Sequence, residues 1–170
     1  MITNGPRIAA LEKKNLVGIC TFMTLEEIGG PEVMLWEIFS KLDSTLKIKR
    51  KETSPHNIEL EIYPEKEYSK PANPMKERIL FMVCVEVDSL NEIPPGCVGK
   101  NLPATEYAIF TYTGKPVDMV SAYKHIFLDW LPQSQYIQSY YFDYAYYNGR
   151  CNGPYDEDSE IDIYIPVKKK

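Results

Sequence analysis

Histidine and cysteine are scarce in this chain, two of one and four of the other among 170 residues. Cys20, Cys84, Cys97 and Cys151 form no CxxC pair, and neither His56 nor His125 has a cysteine at metal-ligand spacing. That argues against a zinc site, and no cofactor is expected. Cys20 and Cys84 sit in apolar stretches and read as reduced core residues. The sequence also lacks a glycine-rich phosphate loop and a G-x-S-x-G elbow, the marks of nucleotide binding and of a serine hydrolase. No apolar run approaches the roughly 20 residues of a membrane span. The opening MITNGPRIAALEKK lacks the basic-then-apolar order of a signal peptide, so a cytoplasmic protein without membrane contact is expected. Positive charge is in deficit too, 19 Lys and Arg against 24 Asp and Glu, for a net charge of −5. Lys168, Lys169 and Lys170 are too short a run to make a basic surface, and direct DNA binding is not expected. The acidic balance favours cationic or neutral partners.

What the chain does have is alternation and repetition. Strand-like stretches are VGICTF, NIELEIY, ILFMVCVEV, TEYAIFTY, SEIDIYIPV and the opening segment. Two helices fall between them. One opens at Pro31, a favoured first helical position, with an apolar stripe of Leu35, Ile38, Phe39 and Leu42. The other opens near Pro116 and is stopped by Pro132, with a stripe of Val120, Tyr123, Phe127 and Trp130. Each half of the chain thus reads strand, helix, strand, strand: residues 17–22, 31–42, 58–63 and 79–87, then 107–112, 116–131, 140–147 and 160–167. The predicted fold is α+β, with two such modules in pseudo-twofold arrangement and antiparallel sheets. The boundary falls at the turn formed by Pro94, Pro95 and Gly96, giving modules 1–92 and 93–170. Residues 65–78 read as a polar loop inserted in the first module.

Side chains alternate along strands, so Ile161, Ile163 and Ile165 share a face against Glu160, Asp162 and Tyr164. In the first module Ile58, Leu60 and Ile62 stand against Glu59, Glu61 and Tyr63. Each sheet is therefore expected to turn an apolar face to its helix and to carry acids plus a ring on the other. The stretch YYFDYAYY, residues 140–147, puts one carboxylate, Asp143, among five tyrosines and a phenylalanine. A hairpin into EIDIYIP would bring Asp143 near Asp162 and Tyr164 where the register permits. Carboxylates ringed by tyrosines suit a lipophilic cation, since ring faces and negative charge both attract it. The plainer alternative is that these acids are solvated residues on the open face of an antiparallel sheet.

The stretches TLEEIGGPEVMLWEIFSKL, LFMVCVEVDSLNEIPPG, IPPGCVGKNLPATEYAIFTYTGKP, WLPQSQY, YFDYAYY and EIDIYIPVKK resemble, in order and spacing, GyrI-like small-molecule-binding domains. These are also the effector-binding domains of some AraC- and MerR-type bacterial regulators. The resemblance covers nearly the whole chain. It implies two strand–helix–strand–strand modules with a ligand cleft, and a pocket of aromatic residues around an acid. Phe142 and Asp143 stand at the family's F-E-x-Y-like position, with aspartate one methylene shorter and the following tyrosine displaced. Asp162 and Tyr164 match a second acid and a tyrosine on the last strand, and Trp36 matches the tryptophan of the first helix. The candidate ligand-binding residues are Trp36, Tyr112, Tyr123, Trp130, Asp143, Tyr144, Asp162 and Tyr164.

Three functions compete. The first is a stand-alone module that binds lipophilic or cationic small molecules of the multidrug type, as a regulator or a sequestering protein. The two modules take up the whole chain, leaving no room for a helix-turn-helix, so regulation would run through another protein. The second, implied by the resemblance, is a hydrolase of cyclopropane-bearing genotoxins, with Asp143 as acid/base and Tyr164 or Tyr144 as hydrogen-bond donor. The third is a protein-interaction module, such as a gyrase modulator.

Overall fold

The computed structural model describes residues 1–24, 27, 31–63 and 78–170, with the side chains at 3, 4 and 31 outside the description. The polar insertion expected over 65–78 lies outside the described residues apart from Arg78. The chain divides into two compact units, Lys14–Leu102 and the pair of segments Met1–Lys13 with Pro103–Lys170.

The Lys14–Leu102 unit opens with β2 (Lys14–Met23), the second strand in chain order. After it come α1 (Pro31–Leu46), β3 (Asn57–Ile62), β4 (Ile79–Val87) and β5 (Val98–Leu102). All pairings are antiparallel, and the strand order is β5-β2-β4-β3. Helix α1 buries Leu35 and Phe39, four residues apart, against Val17, Met23, Ile79, Phe81, Val83 and Val85. Burying a ring such as Phe39 is worth roughly 2–3 kcal/mol. Ile38, expected in the stripe, is 51% exposed, and Trp36 lies against the core instead. The helix ends where Lys47 takes the left-handed conformation (φ 49°) and donates its N–H to the Asp43 carbonyl at 2.7 Å.

The other unit contains β1 (Ile2–Leu11), β6 (Thr105–Thr113), a 3₁₀ turn (Pro116–Asp118), α2 (Val120–Lys124), a π-type stretch (His125–Trp130) and α3 (Leu131–Gln133). β7 (Tyr136–Gln138), β8 (Phe142–Tyr147) and β9 (Glu160–Lys169) complete it. Its strand order is β1-β6-β9-β8, antiparallel throughout, with β7 pairing the far end of β9. The helical run buries Met119, Ala122, Tyr123 and Ile126 on Ala108, Phe110, Ile161, Ile163 and Ile165. The buried stripe thus centres one residue away from the expected Val120, Phe127 and Trp130, which are only half-buried. The helix also continues through Pro132, which falls in the first turn of α3, where its missing N–H costs no internal bond.

A division at residues 92 and 93 does not describe these units. β1 runs along β6 from Arg7↔Ile109 to Leu11↔Thr105, and β5 runs along β2 from Lys14↔Leu102 to Gly18↔Val98. Each unit is therefore a strand–helix–strand–strand module plus an edge strand contributed from the part of the chain that precedes the other module. Alternation patterns reveal strands but not which strand pairs an edge, and β5, only five residues long, gave no clear pattern.

Candidate functional site

The Lys14–Leu102 unit places an acid-and-ring wall on the side of its sheet that faces α1. Glu59 stands opposite Val83 and Glu61 opposite Phe81 on β4, and both β4 residues belong to the core under the helix. Directly opposed residues share a face, so Glu59, Glu61 and, by alternation, Tyr63 point to the helix side. This corrects the expected arrangement, in which Ile58, Leu60 and Ile62 would meet the helix. Those residues lie on the other face, where Ile58 and Leu60 are nevertheless buried. With both faces covered, apolarity alone did not say which one the helix occupies. The Trp36 indole N–H donates to Glu59 Oε2 at 3.0 Å, and the Tyr63 hydroxyl donates to Glu61 Oε2 at 2.8 Å. Glu59 and Glu61 are only 8% and 4% exposed. These two donors are neutral, and their bonds orient the carboxylates.

In the other unit, register decides where Asp143 goes. Tyr144 pairs with Tyr164, Ala145 with Ile163, and Tyr146 with Asp162. Ala145 and Ile163 are in the core beneath the helical run, with Tyr147 packed against it. Alternation therefore puts Asp143, fully buried, on this helix-side face, away from Asp162 and Tyr164. The expected grouping of Asp143 with Asp162 and Tyr164 is not formed. Sharing the helix-side layer of this unit with Asp143 are Tyr112, Tyr123 and Trp130. The Tyr112 hydroxyl donates to the Lys115 carbonyl at 2.9 Å. Tyr123 lies parallel to Phe127, with ring centroids 6.4 Å apart. Trp130 meets Phe110 edge-on at 5.1 Å.

The opposite face of this unit gathers the remaining candidates. Tyr144 stacks on Tyr164 with centroids 4.5 Å apart and planes 11° from parallel, and Tyr107 meets both edge-on. Asp162 accepts from Thr111 Oγ1 at 2.8 Å, from Asn148 Nδ2 at 3.3 Å and from Arg150 Nη2 at 2.9 Å. Its charge is therefore already matched by a guanidinium. Arg150 also pairs with Glu160. Burial, then the Asp162 charge, pushes the Tyr164 hydroxyl above its usual range, while Arg7 pulls weakly the other way. Burial does the same to Tyr107. Both rings are thus neutral phenols at neutral pH. Among the described residues no group of three or more His, Cys, Asp or Glu is arranged to hold a metal ion. No described helix is long and apolar enough to cross a membrane.

The sequence did not single out Glu59, Glu61 and Tyr63 beneath α1, nor Tyr107 beside Tyr144 and Tyr164, as ligand-binding candidates. Glu59, Glu61 and Tyr63 were recognised as sharing a face, and the signal that would have promoted them is β4. Its run ILFMVCVEV is apolar on both sides, so its partner strand had to carry Glu59 and Glu61 into one apolar layer or the other.

Both units of this α+β fold set acids and rings on the side of the strands that their helices cover. The chain belongs to the GyrI-like small molecule binding domain family, whose model matches residues 5–168. It is 29% identical over 112 residues to the transcriptional regulator BrlR of Pseudomonas aeruginosa, a match that takes in 66% of this chain and 42% of BrlR. The matched stretch is thus less than half of that regulator. Two solved structures share the fold. A bacterial transcription regulation protein from Staphylococcus aureus MU50 superposes with a TM-score of 0.68 at 16% identity, over 96% of this chain and 97% of that one. SAV2435 bound to tetraphenylphosphonium gives 0.69 at 17% identity, over 96% and 93%.

Proposed function

We propose that this domain binds lipophilic cations and holds them against the wall formed by Trp36, Glu59, Glu61 and Tyr63. The observation that carries the reading is the pair of buried carboxylates on one strand face, each oriented by an aromatic donor. Ring faces attract a cation, and a carboxylate in a poorly solvated layer adds a Coulomb term. Asp143, buried on the helix-side face of its own unit, serves the same purpose there. The tetraphenylphosphonium carried by SAV2435, a protein of the same fold, supports this choice of ligand chemistry. The similarity to BrlR supports a role in which cation binding is a regulatory signal. A net charge of −5 supports a reading in which the domain does not itself hold DNA. The hydrolase reading would draw on Asp143 with Tyr164 or Tyr144, and the pairing of Tyr144 with Tyr164 supports the binding reading over it.

Isothermal titration with tetraphenylphosphonium tests the proposal. At ~5 Å and an effective dielectric of ~20, one carboxylate attracts a cation by about 3 kcal/mol before desolvation. About half of that survives, so Glu59→Gln, Glu61→Gln or Asp143→Asn is expected to weaken binding roughly 5- to 30-fold. Absence of saturable binding, or binding indifferent to all three substitutions, would refute it.

A further inference from the structure

We infer that the open edge of β2, residues 19–23, is an interface at which two copies of this chain pair antiparallel about Thr21. β5 accompanies β2 only from Lys14↔Leu102 to Gly18↔Val98, whereas β4 follows it as far as Met23↔Ile79. Among the described residues no strand meets Ile19 to Met23 on the side away from β4. An unpaired edge offers its backbone donors and acceptors to any strand that fits, and proteins guard such edges with charge, proline or bulges. β5 carries Lys100, and the pairing of β1 shifts register between Ile2 and Arg7, a stretch that holds Pro6. The edge of β2 has none of these guards, since no charged residue stands between Lys14 and Glu26.

The partner is a second copy because the edge fits itself. A two-fold axis at Thr21 sets Ile19 opposite Met23, Cys20 opposite Phe22 and Thr21 opposite its own copy. Every position meets an uncharged one, and a threonine pair is a favourable cross-strand match. At a net charge of −5 two copies repel as wholes, so they come together best at a surface that carries no charge. Side chains on the face away from α1 reinforce the pairing. Phe22 lies opposite Leu80 and Leu80 opposite Ile62, an apolar row that runs out to the edge. This row is not covered: Phe22 is 68% exposed, and Leu80 and Ile62 are partly so. Val98, opposite Gly18 on the same face, is also exposed. The antiparallel pair lays Phe22 against Cys20 of the second copy and carries the row across the axis. A short strand pair with one apolar row makes a small interface, so Kd is expected on the order of 10 µM. The Glu59–Glu61 wall stands on β3, beyond β4, and the pairing leaves it untouched.

Sedimentation velocity from about 1 to 200 µM tests the interface, and the native chain is expected to pass from monomer to dimer across that range. Phe22→Lys takes away the exposed ring and sets a charge against Cys20 of the other copy, so it is expected to weaken association at least about tenfold. Phe22 touches the fold little, so this variant is expected to melt as the native chain does. The register has its own readout in Phe22→Cys, made together with Cys97→Ser and Cys151→Ser to remove the other partly exposed thiols. Directly opposed strand residues stand about 4.5–5.5 Å apart at Cα, a span that a disulfide bridges. Oxygen with copper–phenanthroline is therefore expected to join the new thiol to Cys20 of the second copy, two thiols giving up two hydrogens to oxygen. Adding Cys20→Ser is expected to remove most of the linked dimer. A chain that stays monomeric to about 200 µM overturns the inference. So does a dimer that Phe22→Lys leaves as tight as before, and a dimer in which no disulfide forms overturns the pairing about Thr21.

Discussion

Glu86→Gln is expected to destabilise the Lys14–Leu102 unit without changing its affinity for a cation. Glu86 is 2% exposed at its side chain and accepts from Lys14 Nζ at 2.6 Å and Lys51 Nζ at 2.8 Å. The Lys51 backbone N–H also donates to the Glu86 carbonyl at 2.7 Å, so the triad ties β2 and the segment after α1 to β4. Glutamine keeps the shape and removes the charge, leaving two ammonium groups beside a neutral amide. Breaking a buried ion pair costs about 3–5 kcal/mol and an exposed one under about 1. The lysine side chains are 18% and 37% exposed and can turn partly to water, so the loss here is about 2 kcal/mol. For a chain of this size that lowers Tm by roughly 4–8 °C.

The same carboxyl gives the prediction a pH signature. Burial pushes its pKa up, but the hydrogen bonds from Lys14 and Lys51, with the Lys14 charge and the Ser54 hydroxyl, outweigh burial and hold it below the ordinary value of 4.5. A group whose folded pKa is lowered contributes stability that is complete above the unfolded value and is lost as pH falls through the folded one. The gap between native and Glu86→Gln in urea or thermal melts is therefore expected to be full at pH 7 and to close as pH drops below about 4.5. Glu86 pairs with Leu16 on the face away from Glu59 and Glu61, so tetraphenylphosphonium affinity should move less than about twofold. No gap at pH 7, or a gap that persists unchanged into strong acid, would refute the argument.

Two further outcomes follow from the strand geometry. Gly18→Ala should destabilise by about 3 kcal/mol or more, read as a lower urea midpoint, because a β-carbon there would sit 2.1 Å from the Val83 carbonyl oxygen and 2.6 Å from Cys84 Cα. Asp162→Asn and Tyr164→Phe should leave tetraphenylphosphonium affinity unchanged, since both side chains lie on the face opposite Asp143. With Arg150 half exposed, Asp162→Asn should also cost less than about 1 kcal/mol of stability. An affinity loss in either variant would return those residues to the binding site.

The two strand–helix–strand–strand modules were legible because alternation and helical spacing are local properties. The strands read over 17–22, 58–63, 79–87, 107–112 and 160–167 all lie within or across β2, β3, β4, β6 and β9. What local pattern does not carry is partnership. The exchange of β1 and β5 between units depends on hydrogen bonds to strands far off in sequence, and nothing in ITNGPRIAAL or VGKNL names the partner. Register is the same kind of information. A shift of one residue between β8 and β9 would have moved Asp143 to the face of Tyr164, and no residue within YYFDYAYY fixes that choice.

The misplaced face in the first module has a more specific cause. The rule that a sheet turns its apolar side to its helix holds when the other side meets water. In both units the second face is buried as well: Leu16, Ile58, Leu60, Met82 and Cys84 in one, Tyr107, Ile109 and Tyr144 in the other. When both faces are dry, helix-side positions lose their compositional mark, and a carboxylate can stand under a helix if side-chain donors there meet its oxygens. Trp36 and Tyr63 do this for Glu59 and Glu61. An aromatic residue off the main stripe of a helix, together with acids at alternate positions of the strand below it, is therefore the pattern to seek. It links Trp36 to NIELEIY in the sequence itself, before any register is known.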